Sequence, residues 1–98
     1  MSGGFAVLYR WTVAQEHEAY FIERWRAGTV LLRDRYGALG SCLARTGEGE
    51  FIAFARWPSE EARRTAFAAR GPLDPWPGIL NFEETKLDVV EDMLTGRA

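Results

Sequence analysis

The sequence predicts an α+β fold with the element order β-α-β-β-α-β, a ferredoxin-like arrangement whose two helices cover one face of a four-stranded antiparallel sheet. Three observations carry this. Apolar and aromatic residues alternate with period two near the N-terminus, the period then lengthens to that of a helix, and a pair of strand-like runs separated by a short Gly-bearing turn follows before a second helical segment. Strand-helix-strand is a crossover connection, and two such units sharing a central hairpin give the split β-α-β arrangement. Ninety-eight residues fit one domain, 1–98, with no internal repeat, low-complexity tract or linker.

The first strand is read at Phe5–Val13, where Phe5, Val7, Tyr9, Trp11 and Val13 share one face. Its other face, Ala6, Leu8, Arg10 and Thr12, is half apolar, so cover is expected on both sides. From about Glu16 to Tyr36, Phe21, Ile22, Trp25, Thr29, Leu32 and Tyr36 keep helical spacing. Acidic Glu16, Glu18 and Glu23 lead, Arg33 and Arg35 close, and Gly37 is the expected stop. Gly28, on the apolar side, is expected to allow close approach of a strand or a ligand. Leu39–Thr46 and Glu50–Trp57 form the hairpin around Gly47-Glu48-Gly49, and the uninterrupted Phe51-Ile-Ala-Phe-Ala55 marks a central strand. Ser59 is the expected N-cap of a second helix running through Ala66 and Phe67 to Arg70. Three prolines and two glycines make 71–78 irregular, either a lid carrying Trp76 or a stiff connector. A last strand is expected over Phe82–Met93.

Composition narrows the function classes. A net charge of −2, with Arg interleaved among Glu and Asp, argues against nucleic acid. No apolar run is long enough for a membrane helix, and the N-terminal Met-Ser-Gly-Gly-Phe lacks the basic start and apolar stretch of a signal peptide. The lone Cys42 has no partner for an internal disulfide and no metal-ligand spacing around it, so a cytoplasmic protein is expected. Small chains bury little surface, and the non-helical sheet face carries Leu8, Ile52 and Phe54 beside Arg10 and Arg56. A homodimer through that sheet face is therefore expected.

The first strand and helix, Leu39-Gly-Ser-Cys-Leu43, the Phe51–Trp57 strand leading into Trp-Pro-Ser-Glu-Glu-Ala62, and the closing Leu87-Asp-Val-Val-Glu-Asp-Met-Leu94 resemble the antibiotic biosynthesis monooxygenase family of dimeric α/β barrels over nearly the whole chain. That resemblance implies a homodimer with facing sheets and one ligand pocket per subunit between sheet and helices. It implies cofactor-independent oxygenation of a small aromatic or quinone-like compound. The alternative is a non-catalytic ligand-binding or stress-related dimer on the same fold. The family's heme-degrading branch has an Asn in strand one, a Trp within helix two and a His soon after it. Here Tyr9 takes the Asn place, helix two offers Ala66 and Phe67, and no His follows, so heme cleavage is not expected.

The expected pocket gathers Trp11, Trp25, Leu32, Trp57, Phe67 and Trp76 as substrate contacts, with core packing as the competing reading for each. Tyr9 is the candidate hydrogen-bond donor to a developing oxyanion. His17, the sole histidine, is the candidate base by intrinsic pKa, set against a plain surface role. No metal and no organic cofactor is called for by the residues. The acidic residues Glu83, Glu84, Asp88, Glu91 and Asp92 read as a solvated strand edge. No nucleophile with a nearby base and no phosphate loop appears.

Overall fold

The computed structural model of the protein describes residues 4–47, 49–73 and 75–94. The chain runs β1 (Phe5–Val13), a 3-10 turn (Gln15–His17), α1 (Glu18–Arg35), β2 (Gly40–Gly47), β3 (Glu50–Trp57), α2 (Glu60–Arg70) and β4 (Ile79–Asp88). All strand pairings are antiparallel, and the sheet order is β2-β3-β1-β4. This is the predicted ferredoxin-like α+β topology, with β3 central as expected. β1, β3 and α2 lie where the sequence places them.

The period-two alternation of β1 and β3 fixes which face the helices cover. Pairing sets Val7 opposite Ala55, Tyr9 opposite Ala53 and Trp11 opposite Phe51. Val7, Ala53, Phe51 and Trp57 are buried to within 2% exposure. Two apolar clusters form on this face. One joins Trp11, Val13, Phe21, Phe51 and Ala53. The other joins Phe5, Val7, Trp57 and Ala66. Tyr9 packs against both.

α1 begins later than expected because the chain first makes a tight turn, with the His17 N–H donating to the Ala14 carbonyl at 2.8 Å. Its far end closes as predicted. Gly37 takes φ +84°, a left-handed conformation that glycine adopts without a Cβ clash, and the Tyr36 and Ala38 N–H groups both donate to the Leu32 carbonyl. At α2 the Ala62 N–H donates to Ser59 Oγ at 3.0 Å, the predicted cap.

β4 corrects the sequence reading at both ends. It starts at Ile79, three residues early, because Gly78 at φ +81° turns the chain directly into the sheet and its carbonyl accepts from Ala14 N–H at 2.8 Å. It stops at Asp88 because its partner strand among the described residues runs out there: Asp88 pairs with Phe5, the first residue of β1. One further bond, Val89 N–H to the Gly4 carbonyl, ends the pairing. Residues 89–94 then run beside Phe54 and Arg56 of β3, with Asp92 ion-paired to Arg56.

Gly28 also differs from one expectation. No strand approaches it: a Cβ built there would meet nothing within 4 Å. The space it leaves belongs to a cavity.

Candidate active site

A cavity of about 350 Å³ lies between the sheet and both helices. Each element supplies its wall by periodicity. α1 presents Trp25, Gly28, Thr29 and Leu32, an i, i+3, i+4, i+7 stripe. α2 presents Arg63, Phe67 and Arg70, the same stripe one turn apart. β1 contributes Tyr9 and Trp11, β3 Ala55 and Trp57, β2 Gly40 and Ser41, β4 Phe82 and Glu84, and the 71–78 segment Leu73 and Trp76. Tyr9, Trp11, Trp25, Leu32, Trp57, Phe67 and Trp76, the seven cavity residues named from sequence, therefore meet in one place.

Rings dominate the wall. Trp11 stacks on Tyr9 at 5.4 Å between centroids and 18° between planes, and on Trp76 at 6.5 Å and 6°. Tyr9 lies 6.1 Å from Phe82 at 25°. Offset stacking of this kind is the favoured arrangement of aromatic quadrupoles. Trp76 is held from the helix side as well: the Arg24 guanidinium sits 5.1 Å from its ring and donates to the Pro75 carbonyl at 3.2 Å.

His17 is not among these residues. It packs against Gly78, where an added Cβ would come within 2.5 Å of the His17 Cβ and Cγ, and its Nδ1 is buried without a hydrogen-bond partner among the described residues. Sequence reasoning placed it as a candidate base by chemistry alone; position separates it from the cavity.

Sequence reasoning missed the polar part of the site. Arg63, 8% exposed, donates from Nη2 to Tyr9 Oη at 3.0 Å and pairs through the same nitrogen with Glu84 Oε2 at 3.2 Å. Its guanidinium lies 4.6 Å from the Phe67 ring, and that of Arg70 lies 4.4 Å from the same ring. The signal was present in the sequence: Arg63 and Arg70 are seven residues apart and share the stripe of Ala66 and Phe67. Glu84 is likewise not part of a purely solvated edge, as its alternation with Phe82 and Lys86 puts it on the helix side, opposite Tyr9.

The bond from Arg63 occupies an acceptor site of the Tyr9 hydroxyl and leaves its own proton free to be donated. Burial pushes the Tyr9 pKa above its ordinary 10.0, a rise only partly offset by the Arg63 hydrogen bond and charge. Tyr9 is thus a neutral donor at physiological pH, not a base. The folded state favours the protonated phenol, so this contribution to stability is complete below pH 10 and is lost as pH rises through the folded pKa. Tyr9 is expected to ionise above pH 10 in an absorbance titration of phenolate, with unfolding following its ionisation; Tyr9→Phe should remove that high-pH phase.

Similarity to solved structures matches this architecture. The monooxygenase ActVA-Orf6 of Streptomyces coelicolor, solved with nanaomycin D, superposes with a TM-score of 0.70 at 19% identity, covering 95% of this chain and 93% of that one. The heme-degrader MhuD of Mycobacterium tuberculosis, solved with two hemes in its active site, gives 0.67 at 20% identity over 91% and 98%. A candidate antibiotic biosynthesis monooxygenase from Bacillus cereus gives 0.64 at 21% over 93% and 97%. The fold is shared with these three proteins. No protein-family model matches the chain, and no curated protein matches it in sequence.

Heme does not fit the residues present. Among the described residues the cavity wall carries no His, Cys or Met, and the Tyr9 oxygen is already engaged by Arg63. Among the described residues no group of three His, Cys, Asp or Glu could hold a metal ion. No helix among the described residues is long and apolar enough to cross a membrane.

Proposed function

We propose that this protein is a cofactor-independent monooxygenase that oxidises a small, flat aromatic or quinone-like compound in the cavity beneath its helices. The observation that carries the reading is the Tyr9 hydroxyl: a neutral donor held by Arg63 among stacked rings in a largely apolar cavity. Likeness in fold to the monooxygenases described above supports the reaction class by analogy.

The chemistry asks little of the protein. The substrate gives up a proton from an activated ring carbon to Glu84, the one carboxylate among the described lining residues, which Arg63 holds in place. The resulting anion is held by the Tyr9 O–H and passes one electron to dioxygen. Recombination of the two radicals forms a C–O bond. The peroxide regains the proton, its O–O bond breaks with loss of water, and a carbonyl remains. One CH₂ and one O₂ give one C=O and one H₂O.

Gly28→Leu provides the test. The added side chain enters open space and raises helix propensity by up to about 1 kcal/mol, so the fold should survive while the cavity closes. With dihydroxynaphthalenes as probes, the parent protein is expected to consume dioxygen and Gly28→Leu to lose at least tenfold of that rate at unchanged or higher Tm. Binding without oxygen uptake would favour a non-catalytic ligand-binding dimer instead.

We also propose that the protein works as a homodimer through the sheet face away from the helices. Leu8, Ile52 and Phe54 lie there, each half-buried, together with Arg10. A second copy is the simplest cover for such a surface. Sedimentation should give about twice the 11.1 kDa chain mass at micromolar concentration, and a monomer would contradict this assembly.

A further inference from the structure

We infer that the ligand of this cavity is an aromatic acid, a flat ring system whose carboxylate pairs with Arg70. This rests on the aromatic-cavity reading above and specifies the ligand within it. The first support is charge. The described lining residues include two guanidiniums, Arg63 and Arg70, and one carboxylate, Glu84, so that described wall is net positive although the chain as a whole carries −2. The second is how those charges are matched. Arg63 is paired with Glu84 and bonded to Tyr9. Arg70 has no ion pair among the described residues, and its Nε is buried without a hydrogen-bond partner.

A half-buried cation with no counter-charge among the described residues is a costly element of a small domain, because desolvation penalises it and no described wall residue offsets that penalty. Burial accordingly holds Arg70 below the usual guanidinium range. Its position in the last turn of α2 and its stacking on Phe67 give partial compensation, but neither accounts for a guanidinium at a cavity wall. A ligand carboxylate would. The planar fork of Arg matches a carboxylate in geometry as well as charge. Ser41 adds a neutral donor: its Oγ belongs to a lining residue and has no partner among the described residues. The apolar remainder, Trp25, Leu32, Trp57 and Phe67, suits the ring system.

Calorimetric titration at pH 7 with three probes of one ring size separates the sources of affinity: 2-naphthoate, its methyl ester and 2-naphthol, which is neutral at that pH. The acid is expected to bind at least tenfold more tightly than either neutral probe. Arg70→Gln should weaken the acid at least tenfold and leave the ester within twofold, which also verifies that the cavity is intact in the variant. Arg70→Lys should retain part of the preference. Equal binding of acid and ester, or an equal loss for both in Arg70→Gln, would overturn the carboxylate assignment while leaving an aromatic cavity standing. Failure of all three probes to bind would overturn both.

Discussion

Truncating Phe21 to alanine is expected to destabilise the domain by about 3–5 kcal/mol, the usual range for deleting a buried aromatic ring. Phe21 is 1% exposed and is the only fully buried residue of α1. Its ring meets Trp11 and Phe51, each at 5.0 Å, and Trp76 at 5.4 Å. One side chain therefore docks the helix on β1 and β3 and also supports the segment that carries Trp76. A domain of this size has about 5–15 kcal/mol of total stability, so the loss removes a large share of it. Denaturant melts should show a sharply lowered midpoint. Val30→Ala, on the exposed side of the same helix, should stay within about 0.5 kcal/mol and serves as the control. A loss below about 1 kcal/mol at Phe21 would mean that α1 is held by something other than this contact.

The second large effect is expected at Arg63. Arg63→Met keeps the apolar stem but leaves Glu84 without its partner and Tyr9 without its donor. Removing one member of a buried pair typically costs about 3–5 kcal/mol. Glu84 retains 31% side-chain exposure and can recover some hydration, so we expect a figure nearer 2 kcal/mol. At about 4–8 °C per kcal/mol for a domain of this length, Tm should fall by roughly 10 °C. Adding Glu84→Gln should restore part of that loss, because the stranded charge is gone. Additive losses in the double variant would mean that the two residues act independently.

These two residues also mark what the sequence made legible. Phe21 was visible because helical spacing places it among Ile22 and Trp25, and apolar periodicity reports burial directly. The same logic found β1, β3 and α2 at their boundaries and the seven residues that meet in the cavity. It failed where pairing rather than periodicity sets the outcome. The start and end of β4 follow from Gly78 and from the beginning of β1, neither of which is encoded within β4 itself. Glu84 was read as part of a solvated edge because charged residues are usually solvated, Arg63 was passed over and Arg70 was taken only as the end of a helix, yet their registers put all three on the covered side. His17 failed for the opposite reason. Its chemistry suits a base, but chemistry without position does not make a site, and the chain carries it to Gly78 instead of the cavity.

The open sheet face and the cavity face are built from alternate residues of the same strands. Tyr9 and Leu8 are neighbours in the chain and point to opposite sides. Changes to Leu8, Ile52 or Phe54 would thus bear on the proposed dimer, and changes to Tyr9, Gly28 or Arg63 on the cavity.

The account turns on whether dioxygen chemistry takes place in this cavity. Mass spectrometry of the product formed under isotopically labelled dioxygen tests it most directly, with the parent protein and Gly28→Leu run side by side on the same dihydroxynaphthalene. We predict one labelled oxygen atom per product molecule from the parent and none above background from the variant. A product without label, or equal labelling by both proteins, would contradict it.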